Sequence, residues 1–173
     1  MHDLVERLRN EDYRIASQLT FSRPMYTESD VRCALSEEAV FRVLESYGFQ
    51  KHYPENKEGL SWERNDRGIV VKKGKYQETK NEFDELGFIG ELPLAIEIKS
   101  TRLNKYARKI SRVQKYAQKA FTKKPEILVF FSARYSRRQE INALKRASHV
   151  HPIDTGWTRK EYKKAISYSS FSH

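Results

Sequence analysis

Residues 81–101, NEFDELGFIGELPLAIEIKST, decide the fold of this chain and pose its functional question. Two apolar runs, 81–89 and 92–99, meet at Gly90-Glu91 and predict two strands joined by a short turn. Side chains two apart on a strand share a face. Glu97 and Lys99 therefore fall together, and Glu82 and Asp84 fall together on the preceding strand. Pairing of the two strands lets Asp84 and Glu97 converge. The run PLAI beside Glu97 is typical of an interior strand, where a carboxylate and an ammonium are expensive to bury. Two close carboxylates also repel unless a positive charge neutralises them. Hard oxygen donors suit Mg²⁺, with Mn²⁺ as a substitute, rather than Zn²⁺. A lysine two residues on reaches a water or a phosphate oxygen held beside such an ion. These residue types fit metal-assisted phosphodiester hydrolysis, in which charge building on phosphorus must be stabilised. The bland alternative is a cross-strand ion pair on a wet face. The apolar run, the acid on the preceding strand and the basic segment that follows favour a site.

Around this hairpin the periodicity predicts a helix over residues 2 to about 19, and a stronger one over 30–47 that stops at Gly48. Residues 50–80 read as strands joined by the turn signals NDRG and KKGK on either side of IVV. A helix is expected over about 103–121, with Ile110, Val113, Ala117, Ala120 and Phe121 as its apolar stripe. EILVFFSA follows as a buried strand. RRQEINALKRA is a short helix, and TRKEYKKAI is another, opened by a capping box from Thr158 to Glu161. The order helix, strands, helix, strand implies an α/β layer structure around a central mixed β-sheet, and 173 residues imply one domain.

The charge balance points to a polyanionic partner: 33 Lys and Arg stand against 23 Asp and Glu, a net charge of +10. Arg102 to Lys124 holds nine basic residues and no acid. Lys105, Arg108, Arg112, Lys115 and Lys119 recur there at helical spacing, opposite the apolar stripe. A solvated face normally mixes signs, so Arg102 and these five are candidate ligands of backbone phosphate. Cys33 is alone, which excludes a disulfide framework and a cysteine zinc site. The apolar runs are too short to cross a membrane, and no signal-peptide core opens the chain. The expectation is a soluble cytoplasmic or otherwise intracellular protein.

The hairpin, with its acid followed by Glu-x-Lys on the next strand, resembles the hallmark of the PD-(D/E)XK nuclease superfamily. More narrowly, EEAVFRVLESYGF at 37–49, FDELGFIGELPLAIEIKST at 83–101 and KPEILVFFSA at 124–133 are similar to segments of the archaeal Holliday-junction resolvases. The resemblance covers roughly residues 34–134. It implies a restriction-endonuclease-like core of order α-β-β-β-α-β, with an N-terminal helical extension over 1–30 and a C-terminal one over 135–173. Residues 51–80 are longer than the connection the resemblance leads one to expect. It further implies that Asp84 and Glu97 ligate Mg²⁺, with the Ile98 carbonyl as a third protein ligand, and that Lys99 orients or deprotonates the attacking water. A homodimer acting on branched DNA is implied as well. The rival readings are a nucleic-acid-binding module with a degenerate site and a nuclease acting on RNA.

The resemblance also asks for an acid on the first helix. At about 100° per residue, Cys33, Val40 and Leu44 share one direction, and Glu37 falls inside that stripe. Glu38 falls with Arg42 and Glu45 on the wet side, so Glu37 is the expected fourth site residue. Glu82 reads as a solvated strand residue, and the histidines of HVHP as part of a surface strand. Trp62 and Tyr53 are open to stacking on bases, although core packing explains a lone Trp more often. For Tyr106 and Tyr116 spacing does not decide between core and site.

Overall fold

Thr27 starts the first long helix. Its hydroxyl accepts the Asp30 N–H at 3.1 Å, and the Asp30 carboxylate accepts the Thr27 N–H at 2.9 Å, a reciprocal cap. The helix, α2 (Glu28–Ser46), ends before Gly48, whose φ of +80° suits a residue without a Cβ. The computed structural model describes residues 1–14, 27–66, 68–100, 103 and 106–168, the last four by backbone alone. Before α2 lies α1 (His2–Arg9). After it come β1 (Phe49–Lys51), β2 (Leu60–Asn65), β3 (Gly68–Lys73), β4 (Glu78–Phe83), β5 (Glu85–Ile89) and β6 (Leu92–Ile98). Then follow α3 (Tyr106–Ala120), β7 (Glu126–Phe131), α4 (Arg138–Arg146), β8 (Val150–Asp154) and α5 (Arg159–Tyr168).

The strands form two sheets. The larger is mixed, in the order β1-β5-β6-β7-β8. Its β1, β5 and β6 run antiparallel, while β6, β7 and β8 run parallel, with α3 and α4 as the crossover helices. The smaller sheet, β2-β3-β4, is antiparallel and fills the long connection between β1 and β5. With that insert set aside, α2, β1, β5, β6, α3 and β7 follow one another in the expected order α-β-β-β-α-β.

Each face of the larger sheet buries its own core. On one face, Leu94, Ile96, Ile98, Leu128 and Phe130 pack against α1, α2 and the Trp157–Tyr162 stack. On the other, Leu86, Ala95, Ile127, Val129 and Phe131 pack against α3, Leu144 of α4 and the inner side of the small sheet. The alternation of β6 follows from this arrangement. Ile96 and Ile98 serve the first core, while Ala95, Glu97 and then Lys99 face the α3 side.

Three expectations fail here. The extension after residue 135 is not only helical: β8 pairs parallel with β7 and becomes the fifth strand of the larger sheet. The helix expected over 2–19 ends at Arg9, and residues 15–19 lie outside the described residues. Tyr13 ends it locally: its ring is buried edge-on against Phe130, and its hydroxyl donates to the Leu8 carbonyl at 2.6 Å. The strand expected over 81–89 is two strands in two sheets, parted at Asp84. Phe83 still pairs with Ile69 of β3, whereas Glu85 already pairs with Ile96 of β6. The chain changes partner at one residue. The capping box at Thr158 and Glu161 is present as expected, with the Thr158 N–H donating to Glu161 Oε2 at 2.6 Å. Among the described residues no helix is long and apolar enough to cross a membrane.

Candidate active site

Where β5 stops, β6 runs on, and the acids meet at that step. The Asp84 N–H donates to the Ile96 carbonyl at 3.2 Å, and its Oδ2 accepts the Ile98 N–H at 2.5 Å. A strand residue's N–H and C=O point to the same side, so the Ile98 carbonyl also faces the edge that Asp84 occupies. Glu97, next along β6, is 2% exposed. Lys99 Nζ donates to Glu97 Oε2 at 3.1 Å and lies 5.0 Å from the centre of the Tyr106 ring. Glu97 Oε1 is buried with no hydrogen-bond partner among the described residues. The structure thus brings Asp84, Glu97, Ile98 and Lys99 to one place.

The electrostatics follow from burial. Glu97 loses its hydration, which pushes its carboxyl up to about 8; Asp84 adds to the shift and Lys99 opposes it. Asp84 is raised too, chiefly by burial, and is held back by Lys99 and the Ile98 N–H. Burial works against the charge of Lys99, but Glu97 and Asp84 outweigh it and hold the ammonium above its ordinary pKa. With both acids ionised, two acids and one base would leave an excess of negative charge in a dry place, which is why burial raises both carboxyls. A cation offsets that excess, and the unpartnered Glu97 oxygen gives it a donor. Among the described residues no three His, Cys, Asp or Glu side chains form a ready metal cluster, so the fit rests on two carboxylates and one peptide carbonyl.

Helix α2 borders this place. Cys33 Sγ lies 3.4 Å from Ser100 Oγ, just past the end of β6. The Tyr162 hydroxyl, on α5, donates to the Ser100 carbonyl at 3.0 Å and is 2.7 Å from Ser36 Oγ. The C-terminal extension therefore ties α2 to the end of the site strand. Glu37 lies one turn beyond Cys33 and is half-buried; Glu38, Arg42 and Glu45 lie on the outer side, as the helical phase requires.

The basic helix turns its charges outward. Arg108, Lys109, Arg112, Lys115 and Lys119 lie on its outer side, and Val113, Tyr116 and Ala117 are buried behind them. Lys119 pairs with Glu58 at 2.9 Å. Arg102 and Lys105 lie outside the described residues. Other candidates resolve as structural. Trp62 is buried and stacked on Phe83, while Tyr53 is exposed and donates to the Trp62 carbonyl at 2.6 Å. His149 and His151 grip the two oxygens of Glu126 at 2.9 and 2.6 Å, at the far end of β7 from Asp84. They are half-buried rather than on an open strand face. Glu82 is exposed, as expected of a solvated residue, although its charge still reaches both site acids.

One residue escapes a reading of the sequence, and another is left by it undecided between core and site. Glu85, next to Asp84, is 3% exposed and forms a two-pronged bond with Arg64 of β2 at 2.7 and 2.8 Å. That bond pins the small sheet to the larger one beside the site. Tyr106 is the other, buried against Lys99 at the start of α3. Only the acid beside Asp84 and the tyrosine between basic residues could have pointed to them. No family model, curated protein or solved structure matches the chain.

Proposed function

We propose that the protein is a metal-dependent endonuclease of the restriction-enzyme-like kind, cutting DNA with Mg²⁺ or Mn²⁺. The observation that carries this reading is buried Glu97 near the end of β6 with half-buried Asp84 and Lys99 beside it, one Glu97 oxygen having no hydrogen-bond partner among the described residues. The order α2, β1, β5, β6, α3, β7 supports it, because the PD-(D/E)XK resemblance implies that order. Asp84, Glu97 and the Ile98 carbonyl would hold the cation. When bound, it supplies positive charge that polarises water and neutralises the phosphate. Asp84 is fixed for that task by its bond from Ile98. Lys99 is favoured as an ammonium, which suits donating to a phosphate oxygen over taking a proton. The outward-facing cations of α3 would bind the backbone phosphates, and Glu37 would complete the acid set from α2. The narrower reading, by the same resemblance, is a resolvase-like homodimer that cuts branched DNA and leaves 5′-phosphates.

The test is to incubate the protein with Mg²⁺ or Mn²⁺ and duplex, single-stranded, flapped and four-way DNA, and with RNA. Cleavage of DNA is expected, and Lys99→Ala should abolish it while DNA affinity is retained. Tight binding without cleavage of anything would mean a binding module. Cleavage of RNA alone would move the substrate. Wild-type cleavage by Lys99→Ala would remove the site assignment.

A further inference from the structure

Tyr106 opens α3 beside the acid pair and plays no part in the nuclease reading so far. It is 7% exposed, and its hydroxyl is buried without a hydrogen-bond partner among the described residues. Val113, Ala117 and Ala120 make most of the buried face of α3 apolar, with Tyr116 its other buried tyrosine. The neighbours of Tyr106 are Lys99, 5.0 Å from the ring centre, and Glu97 and Asp84, whose charges both act on the hydroxyl.

A second buried atom shares the same defect. Glu97 Oε1 also lacks a partner among the described residues. A phenol has a hydrogen to give, and Glu97, once ionised as it would be beside a cation, has only lone pairs. Buried polar groups left unpaired in this way are the usual hosts of internal water. One water between them would satisfy both: it would take the Tyr106 hydrogen, give one of its own to Glu97 Oε1, and keep a lone pair. Oε1 has two lone pairs, so accepting from a water leaves the other for a cation.

We propose that Tyr106 and Glu97 hold between them the water that attacks phosphorus, which makes Tyr106 a further catalytic residue; this rests on the nuclease reading. The free lone pair of the water forms the new P–O bond. As that bond forms, one hydrogen of the water leaves as a proton to solvent. The P–O bond to the 3′ oxygen breaks, and that oxygen takes the electron pair and later a proton from solvent. Tyr106 keeps its own proton throughout and fixes where the lone pair points.

Tyr106→Phe tests this, because it removes the hydroxyl and nothing else. Single-turnover cleavage of the best DNA substrate should fall about 10- to 100-fold, the worth of one hydrogen bond to a reacting oxygen. The melting temperature should hold, since the hydroxyl bonds no protein group among the described residues. DNA affinity should stay within about two-fold, because the hydroxyl is not among the surface cations that bind phosphate. A crystal structure of the wild type that resolves ordered waters should show one within hydrogen-bond distance of Tyr106 Oη and Glu97 Oε1. Cleavage by Tyr106→Phe at the wild-type rate, or a crystal with no such water, overturns the proposal. If the wild type cuts nothing, the nuclease reading falls and this proposal with it. If the wild type cuts and the variant matches it, this proposal alone falls. Should the variant fail to fold, the wild-type crystal still decides.

Discussion

Replacing Glu97 by Gln should stabilise the cation-free protein relative to wild type, and by more as pH rises. Glu97 is 2% exposed, and its carboxyl titrates at about 8 in the folded chain against an ordinary 4.5. It therefore holds its proton more tightly folded than unfolded. Ionisation costs stability: nothing below about pH 4.5, a growing amount from there to about pH 8, and a constant amount above. At about 1.4 kcal/mol per pKa unit, that range caps the cost at about 5 kcal/mol. Gln carries no charge and escapes it, but Lys99 then loses the partner 3.1 Å away, which returns part of the gain. The variant-minus-wild-type difference should grow by about 2 to 4 kcal/mol between pH 5 and pH 8. Urea unfolding with a chelator at several pH values measures it. Adding Mg²⁺ at pH 8 should restore stability to the wild type and do little for the variant, because only a folded acid pair binds the ion. A difference that stays flat with pH, or shrinks as pH rises, would refute the account of Glu97 as a carboxylate held at a cost for a cation.

Two further outcomes are expected. Replacing Arg108, Arg112 and Lys115 by Ala should weaken binding to all DNA substrates alike and lower the salt slope by about 0.9 for each duplex phosphate that is no longer neutralised; titrations at several salt concentrations check this, and an unchanged slope would show that α3 faces away from the DNA. Glu37→Gln should slow single-turnover cleavage at saturating Mg²⁺ by about 10-fold or more, while Glu38→Gln should leave it alone, because only Glu37 lies on the half-buried side of α2.

Much of this molecule is legible in its sequence because strands and helices have fixed periods. Parity places Glu97 and Lys99 on one face and opposes them to Asp84. The angle per residue separates Glu37 from the exposed Glu38. The capping pairs at Thr27 and Thr158 act within four residues and mark both helix starts, although only the Thr158 pair has the Thr-x-x-Glu spelling that announces itself. What escapes depends on partners far apart in the chain. Both sides of Asp84 have strand character, so periodicity runs through the break; the change of partner from Ile69 to Ile96 is a fact of packing. Arg64 and Glu85 are ordinary charges until the small sheet folds back on the larger one. Spacing leaves Tyr106 open between core and site, and only its burial beside Lys99, with no partner for its hydroxyl among the described residues, sets it apart. The end of α1 is hidden for a similar reason, since Tyr13 stops it by reaching Phe130.

The passage from β4 to β5 through the single residue Asp84 limits how the chain can change length. On one side Phe83 is locked to Ile69, and on the other Glu85 to Ile96, so both sheets share one reading frame across the site. Gly68 tightens this further: a Cβ there would lie 2.1 Å from the Phe83 carbonyl oxygen and 3.1 Å from the Asp84 backbone, so the strands meet without slack. One residue added between Phe83 and Glu85 would turn either Phe83 or Leu86 out of the core and carry Asp84 off the Ile98 N–H. The turn at Gly74–Gln77 lies at the other end of the six residues of β4, about 20 Å of strand away. There Tyr76 is 90% exposed, and extra residues disturb neither register. Variation in length therefore belongs at the distal turn, where a different loop can be tried while the acid keeps its place.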